Sequence, residues 1–215
     1  RTPRYPSGPV MNNPEETARE SAAFKMDVEA MQKALAEFLH AAGLSEAAEG
    51  QAPRKAAEAW ASELLSGYGR DPIKVLGETW RNDSSGLVTV TGIPFVSVCA
   101  HHLLPFYGFA HVAYLPGGRL VGLSRLALLV DCLACRLQIQ EQLGEQVCET
   151  LMEGADARGA ACYLLASHDC LGARKVEYSG TQVQSFAYRG AFVDDPTLRN
   201  EFLQLVQARE SFKDE

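Results

Sequence analysis

At 215 residues, 47% hydrophobic and 22% charged, the chain has the balance of a globular protein with one well-filled core. Its formal charge of -7 argues against nucleic-acid or membrane-surface binding, which needs a dense basic face, and no run of about 18 apolar residues offers a membrane span. An anionic ligand must then be held by a few local Arg and Lys residues, and with no apolar leader at its start the chain reads as soluble and cytoplasmic.

Residues 1–12, rich in Pro, Arg and Asn without periodicity, read as a flexible arm. An N-terminal helical segment, 13–50, follows. Asn13 as N-cap, Pro14 at the first helical position and Glu15 and Glu16 in the first turn start a helix. Its Phe24, Val28, Met31, Leu35, Phe38 and Ala42 recur at helical spacing and predict one buried stripe. After a flexible Glu-Gly-Gln-Ala linker, Pro53 opens a second helix with Ala57, Trp60, Ala61, Leu64 and Tyr68 on one face, ended by Gly67 and Gly69.

From Leu87 the period becomes that of strands: 87–91, 93–98 and 110–115, the last closed by the turn Pro116-Gly117-Gly118. Two helices come next, one through Leu126, Leu129, Val130, Leu133 and Leu137, the other through Ile139, Leu143, Val147 and Leu151, with a kink near Arg136 between them. Strands at 160–166 and 181–188 and a short helix from Asp195-Pro196 through Phe202, Leu203 and Val206 complete the chain. Strands, two helices and strands again predict an α+β fold: a small antiparallel sheet with its helices on one face. So narrow a sheet has exposed edges, which pairing between subunits would protect.

Chemistry concentrates in two places. Cys99-Ala100-His101-His102-Leu103-Leu104-Pro105-Phe106 puts a thiol and two imidazoles at the end of an apolar strand, and Ser167-His168-Asp169-Cys170 ends another. Zinc favours Cys sulfur and His nitrogen, and catalytic sites keep three protein ligands with the fourth position open to water. Cys99, His102 and Cys170 would supply that set, and such a zinc lowers the pKa of its water to about 7. His101 and His168 would then be free for proton transfer, imidazole titrating near ~6.5. Spacing alone fits buried cysteines beside structural histidines equally well. All six cysteines lie in largely apolar sequence and read as reduced thiols; Cys132, Cys135, Cys148 and Cys162 read as core, His111 as structural, and His40 as surface or packing. Arg136, between the helices, could cap the first.

Residues 53–206 resemble the GTP cyclohydrolase I family. The resemblance is carried by Cys99–Gly108, Ala110–Pro116, Gly122–Leu126, Arg136–Leu143 and Ser167–Leu171, in the family's order and spacing. It implies that 51–215 is a catalytic domain with the tunnelling fold (T-fold), forming a homo-oligomer, a decamer in the family, with active sites between subunits. It implies Zn2+ on Cys99, His102 and Cys170, catalysis by His101 and His168, and conversion of GTP to 7,8-dihydroneopterin triphosphate and formate, the entry to folate and pterin biosynthesis. By the same resemblance Glu141 anchors the guanine, Gln140, Arg125 and Arg174 contact the triphosphate, Ser124 lies near the ribose, and Lys55 stands at a further basic position.

Three positions depart from the family pattern. Ala100 replaces an acidic residue, Leu128 replaces a basic one, and Lys55 keeps a charge without the bidentate geometry of arginine. They leave a second reading open, a non-catalytic or partly catalytic subunit or tandem half of such an assembly. The retained ligands, histidines and Glu141 favour an active enzyme.

Overall fold

The computed structural model describes residues 24–81, 86–173 and 176–211. The predicted arm and the helix start at Asn13 and Pro14 lie outside them, as does Arg174. Among the described residues the first helix, α1 (Val28–Ala41), is capped by Asp27, whose carboxylate accepts from the Ala30 N–H at 2.9 Å. Its stripe is less covered than predicted: no residue of α1 is buried, and Phe38 is exposed. Val28, Met31, Leu35 and Leu39 are half-buried on the side that packs on α3, while Phe38 falls outside that arc. The supposed linker is a tight turn between α2 (Ser45–Glu49) and α3 (Ala52–Ala59). The predicted helix from Pro53 runs on beyond α3 as a π turn (Trp60–Leu64) and a 3-10 turn (Ser66–Gly69), ending at the two glycines foreseen.

Among the described residues, α2, α4 (Pro72–Leu76, capped by Asp71) and a small antiparallel ribbon of β1 (Thr79–Arg81) with β4 (Arg119–Val121) are additional to the elements the sequence predicts, as are the short pieces described below. The main sheet begins with β2 (Val88–Cys99), a single strand where two were predicted. Its register slips between Val90 and Ile93, and Gly92 supplies the left-handed φ of 70° that this bulge uses. β3 (Pro105–Leu115) also starts earlier than its apolar run suggested.

The segment α5 (Leu123–Ala134), β5 (Leu137–Gln138), α6 (Gln140–Gly154) corrects the predicted kink. Leu137 is not helical: it and Gln138 form a short strand parallel to β2, pairing Val98 with Leu137 and Cys99 with Gln138. Arg136 makes this break possible. Its guanidinium donates to the carbonyls of Cys132 at the end of α5 (3.2 Å), Gly67 (3.1 Å) and Arg70 (2.9 Å), so it caps the helix as expected. The remaining elements are β6 (Gly159–His168), α7 (Asp169–Gly172), β7 (Gln182–Gly190), α8 (Ala191–Asp194) and α9 (Pro196–Ser211), a longer final helix than predicted.

The five-stranded sheet has the order β5-β2-β3-β6-β7. One face carries α5 and α6, whose Leu126, Leu129, Leu133, Leu143, Val147 and Leu151 close over the inward side chains of β2, β3, β6 and β7. The α+β reading holds, but the helices are not confined to one face. Phe202 and Val206 of α9, with Phe192, pack on Ala113, Ala161 and Tyr163 on the other. The rest of that outer face, at Val96, Tyr107, Phe109 and Phe186, stays exposed. His111 is buried against Tyr163 (ring centroids 5.3 Å apart), in line with a structural role, and His40 reaches Ser45 Oγ at the end of α1. Cys132, Cys148 and Cys162 are buried; Cys135, at the end of α5, is only half-buried.

The β3–β6 seam leaves no room for a side chain at Gly108. A Cβ there would overlap the Leu165 carbonyl oxygen and lie 2.7 Å from the Ala166 Cα. Gly108→Ala is therefore expected to lower stability by about 1–3 kcal/mol, the usual cost of overpacking. Urea titration followed by circular dichroism checks this, and an unchanged midpoint would mean that the seam is looser than described.

Candidate metal centre

Strand register brings the two chemical segments together. Cys99 ends β2, and its chain neighbours form a tight return: the Cys99 N–H donates to the Leu104 carbonyl and the Leu103 N–H to the Cys99 carbonyl, each at 2.9 Å. Leu103 takes a left-handed φ of 55°, a conformation that costs a non-glycine residue roughly 1–2 kcal/mol. The turn folds His102 back toward Cys99, leaving Nδ1 3.7 Å from Sγ. β3 then pairs Phe106 with His168, so the end of β6 arrives beside this hairpin and the single turn of α7 carries Cys170 to it.

The ligand atoms of Cys99, His102 and Cys170 all lie within 4.8 Å of one another. Zinc–sulfur bonds of ~2.3 Å and zinc–nitrogen bonds of ~2.0 Å around a tetrahedron place neighbouring ligands roughly 3.5–3.8 Å apart. Small side-chain rotations close the difference. Two soft thiolates with one imidazole are a donor set suited to zinc, and Cys99 is buried while His102 is exposed, so the cluster is anchored on one side and accessible on the other. The residues fit a metal ion.

Around this group the structure assembles the other histidines and the start of α6. The His101 ring stands edge-on to His102, centroids 6.1 Å apart. His168 stacks flat on the buried Phe106 (4.5 Å, 7° between planes) and turns Nδ1 toward Cys170 Sγ at 3.9 Å. Phe106 thereby acts as a platform for a catalytic candidate, a role that its place in an apolar strand did not reveal. Burial pulls the His168 imidazole below its ordinary value, opposed more weakly by the Glu141 and Asp169 carboxylates. Glu141 is exposed in the first turn of α6, where the helix dipole favours its charge. That turn is held at the same end of the sheet because the Ala100 N–H donates to the Gln138 carbonyl at 2.9 Å.

The substrate-binding candidates divide. Gln140 is buried, with its amide engaged by His168, Leu164, Val183 and Ser185, and so does not present itself to an exposed anion within this chain. Ser124 and Arg125 are exposed at the start of α5. The Arg125 guanidinium lies over the backbone of Gly77, next to α4, and α4 in turn packs Leu76 and Ile73 against Gly154 at the far end of α6. Because α6 starts at Gln140 beside the metal ligands and ends at Gly154, Ser124 and Arg125 stand at the opposite end of the sheet. Lys55 is exposed on α3, whose main partner is α1, and Arg54 pairs with Glu58 one turn along. Ala100 is exposed, as is Leu128, which offers an apolar side chain where the family has a cation.

Comparison with known proteins gives a consistent result. The family model described as GTP cyclohydrolase I matches residues 31–207. A GTP cyclohydrolase 1 of Dehalococcoides mccartyi is 38% identical over 189 residues, covering 87% of this chain and 97% of that protein. The GTP cyclohydrolase 1 of Deinococcus radiodurans is 40% identical over 174 residues, 80% of each chain, and that of Campylobacter jejuni subsp. doylei 42% over 146 residues, 67% of this chain and 77% of its own. Among solved structures, the archaeosine synthase QueF-Like in the apo form matches at a TM-score of 0.40 and 20% identity over 51% of this chain and 98% of its own, a likeness too weak to bear on the fold.

Replacing the ligand on α7 tests the centre directly. Cys170→Ser is expected to lose zinc on gel filtration while keeping its circular dichroism, because serine oxygen is a poor zinc ligand at neutral pH. Elemental analysis that finds as much zinc in this variant as in the parent chain would remove Cys170 from the ligand set.

Proposed function

The chain belongs to the GTP cyclohydrolase I family, and we propose that it is an active, zinc-dependent member that hydrolyses GTP to 7,8-dihydroneopterin triphosphate and formate. The observation that carries this reading is the convergence of Cys99, His102 and Cys170 next to His101, His168 and Glu141. A chain that had lost catalysis would have no physical reason to hold a strained turn at Leu103 in order to fold His102 onto Cys99.

Cys99, His102 and Cys170 would hold the ion, which when bound supplies the Lewis acidity that makes water nucleophilic at neutral pH. The protein's own groups do the rest. Glu141 accepts hydrogen bonds from the N1–H and N2–H edge of guanine, two donors facing one carboxylate, and so fixes C8 relative to the metal ligands. His101 and His168 move protons on the two sides of the purine as the imidazole ring opens, C8 leaves as formate and the ribose carbons rearrange into the new ring. Their imidazoles suit both directions of transfer. Ser124, Arg125, Arg174 and Lys55 belong to the ribose and triphosphate, the anion that this acidic chain must meet with local cations.

The separation of Ser124 and Arg125 from the metal ligands supports sites shared between copies of the chain in a T-fold homo-oligomer. α5 spans about 18 Å at 1.5 Å per residue, so its start in one copy serves the metal ligands of another more readily than its own. The exposed apolar side chains Val96, Tyr107, Phe109 and Phe186 on the outer sheet face offer area for such an assembly. Among the described residues no helix is long and apolar enough to cross a membrane.

Incubating the purified chain with GTP and measuring formate and, after oxidation, a fluorescent pterin tests the activity, and absence of both products refutes it. His101→Ala is expected to retain zinc and to lose about 10²–10⁴-fold in turnover, the usual contribution of a general acid or base. Arg125→Ala should also be impaired. If sites are shared, mixing the two variants under conditions of subunit exchange restores up to about a quarter of the parental rate, because one site in four then combines two intact halves. A mixture no more active than the sum of its parts would place each site within one copy.

A further inference from the structure

Gln140 is the first residue of α6 and is buried, and its side chain bonds to His168. We infer that Gln140 is a positioning residue: its side-chain oxygen holds the His168 ring in one orientation and in the tautomer that carries its proton on Nε2, with Nδ1 bare on the Cys170 side.

The inference follows from which end of the amide faces which neighbour. Gln140 Nε2 lies 3.2 Å from the Leu164 carbonyl oxygen, 3.1 Å from the Val183 carbonyl oxygen and 3.0 Å from Ser185 Oγ. Backbone carbonyls only accept, so the group facing Leu164 and Val183 must be the NH2, which donates to both. Turning the amide over would aim its oxygen at two carbonyl oxygens in a buried place and leave those acceptors without donors. The amide orientation is therefore dictated by the β6 and β7 backbone, and Oε1 is the end left for His168.

Oε1 can only accept. It stands 2.7 Å from His168 Nε2, so that nitrogen must carry the hydrogen and donate it. In neutral imidazole the other nitrogen is then bare, and His168 Nδ1 is the one 3.9 Å from Cys170 Sγ. The stack on Phe106 holds the plane of the ring in the same orientation. Nothing in the sequence distinguished this role, and the resemblance had assigned Gln140 to the triphosphate.

The structural part stands alone; its kinetic consequence rests on the proposed GTP chemistry. Magic-angle-spinning 15N spectra of the intact, zinc-loaded protein labelled at histidine, with His168 assigned by difference against His168→Asn, read the tautomer directly. The expected result at neutral pH and above is a protonated, pyrrole-type Nε2 and a bare, pyridine-type Nδ1; the reverse pattern or an even mixture overturns the inference. Ser185→Ala should leave the pattern unchanged, since the two carbonyls still fix the amide, and a shifted tautomer there would also count against it. In Gln140→Leu the other tautomer should become populated and kcat fall about 10–100-fold, as for loss of comparable supporting partners, with KM for GTP little altered. A rise in KM at unchanged kcat would instead make Gln140 a substrate contact. Should Gln140→Leu fail to fold, the parental and Ser185→Ala spectra still decide. A protein that shows the Nε2–H tautomer but releases no formate from GTP would sink the reaction proposed above and leave the tautomer assignment intact.

Discussion

Strand register between β2, β3 and β6 governs everything else in this molecule. Val98 faces Pro105 across one ladder and Phe106 faces His168 across the next, so three consecutive strand ends are level to within a residue. The consequence is chemical. Cys99 and His102 leave the first pair, Cys170 leaves the third strand, and their ligand atoms converge within 4.8 Å although 68 residues or more separate Cys170 from either. A slip of one residue in the β3–β6 ladder would turn His168 to the other face of the sheet and carry Cys170 away with it. Two features guard against that slip: the bare Gly108, which lets β6 approach, and the alternation of Ala110, Val112 and Tyr114 toward α5 and α6.

The helical layer repeats the same logic from the other side. β5 is only two residues long, but its parallel pairing with Val98 and Cys99 fixes where α6 begins. Gln138 reinforces that point by donating to the Leu133 carbonyl and the Gln146 side chain, each at 2.8 Å, which ties the end of α5 to the first turns of α6. Arg136 anchors the preceding residues to the Gly67 turn. Glu141 and Gln140 then point in different directions from adjacent positions, one toward solvent beside His168 and one into the protein beneath it. Neighbouring residues on a helix are about 100° apart, so a single turn can supply both an exposed contact for a ligand and a buried support for a catalytic group.

Much of this was legible in the residues themselves. The grouping of Cys99, His102 and Cys170, which could hold a metal ion, could be read because zinc chemistry restricts ligand types so strongly, and the strands bearing it because their apolar runs are long. What the sequence hid has physical reasons. The short strands β1, β4 and β5 carry too few residues for any periodicity to register, and Leu137 looks helical because it continues a leucine spacing that the backbone abandons at Cys135. The stripe of α1 was read as buried because helical periodicity reports an apolar face and cannot say whether one chain supplies its cover. The role of Gln140 was hidden because it depends on carbonyls of β6 and β7 that only the folded sheet brings to it.

The three departures from the family pattern acquire different weights once they are placed. Ala100 lies in the turn beside His101 and brings no carboxylate there, whereas His168 has Phe106 below it and Gln140 behind it. Leu128 and Lys55 are exposed on α5 and α3, where, under the proposed chemistry, a lost or altered cation would change attraction for the triphosphate. Under the proposed GTP chemistry the first change would bear on the handling of protons and the others on affinity for the anion. His168, held by Phe106 and Gln140, depends on contacts that must be exact in space, whereas a cation at position 55 or 128 would act over distance.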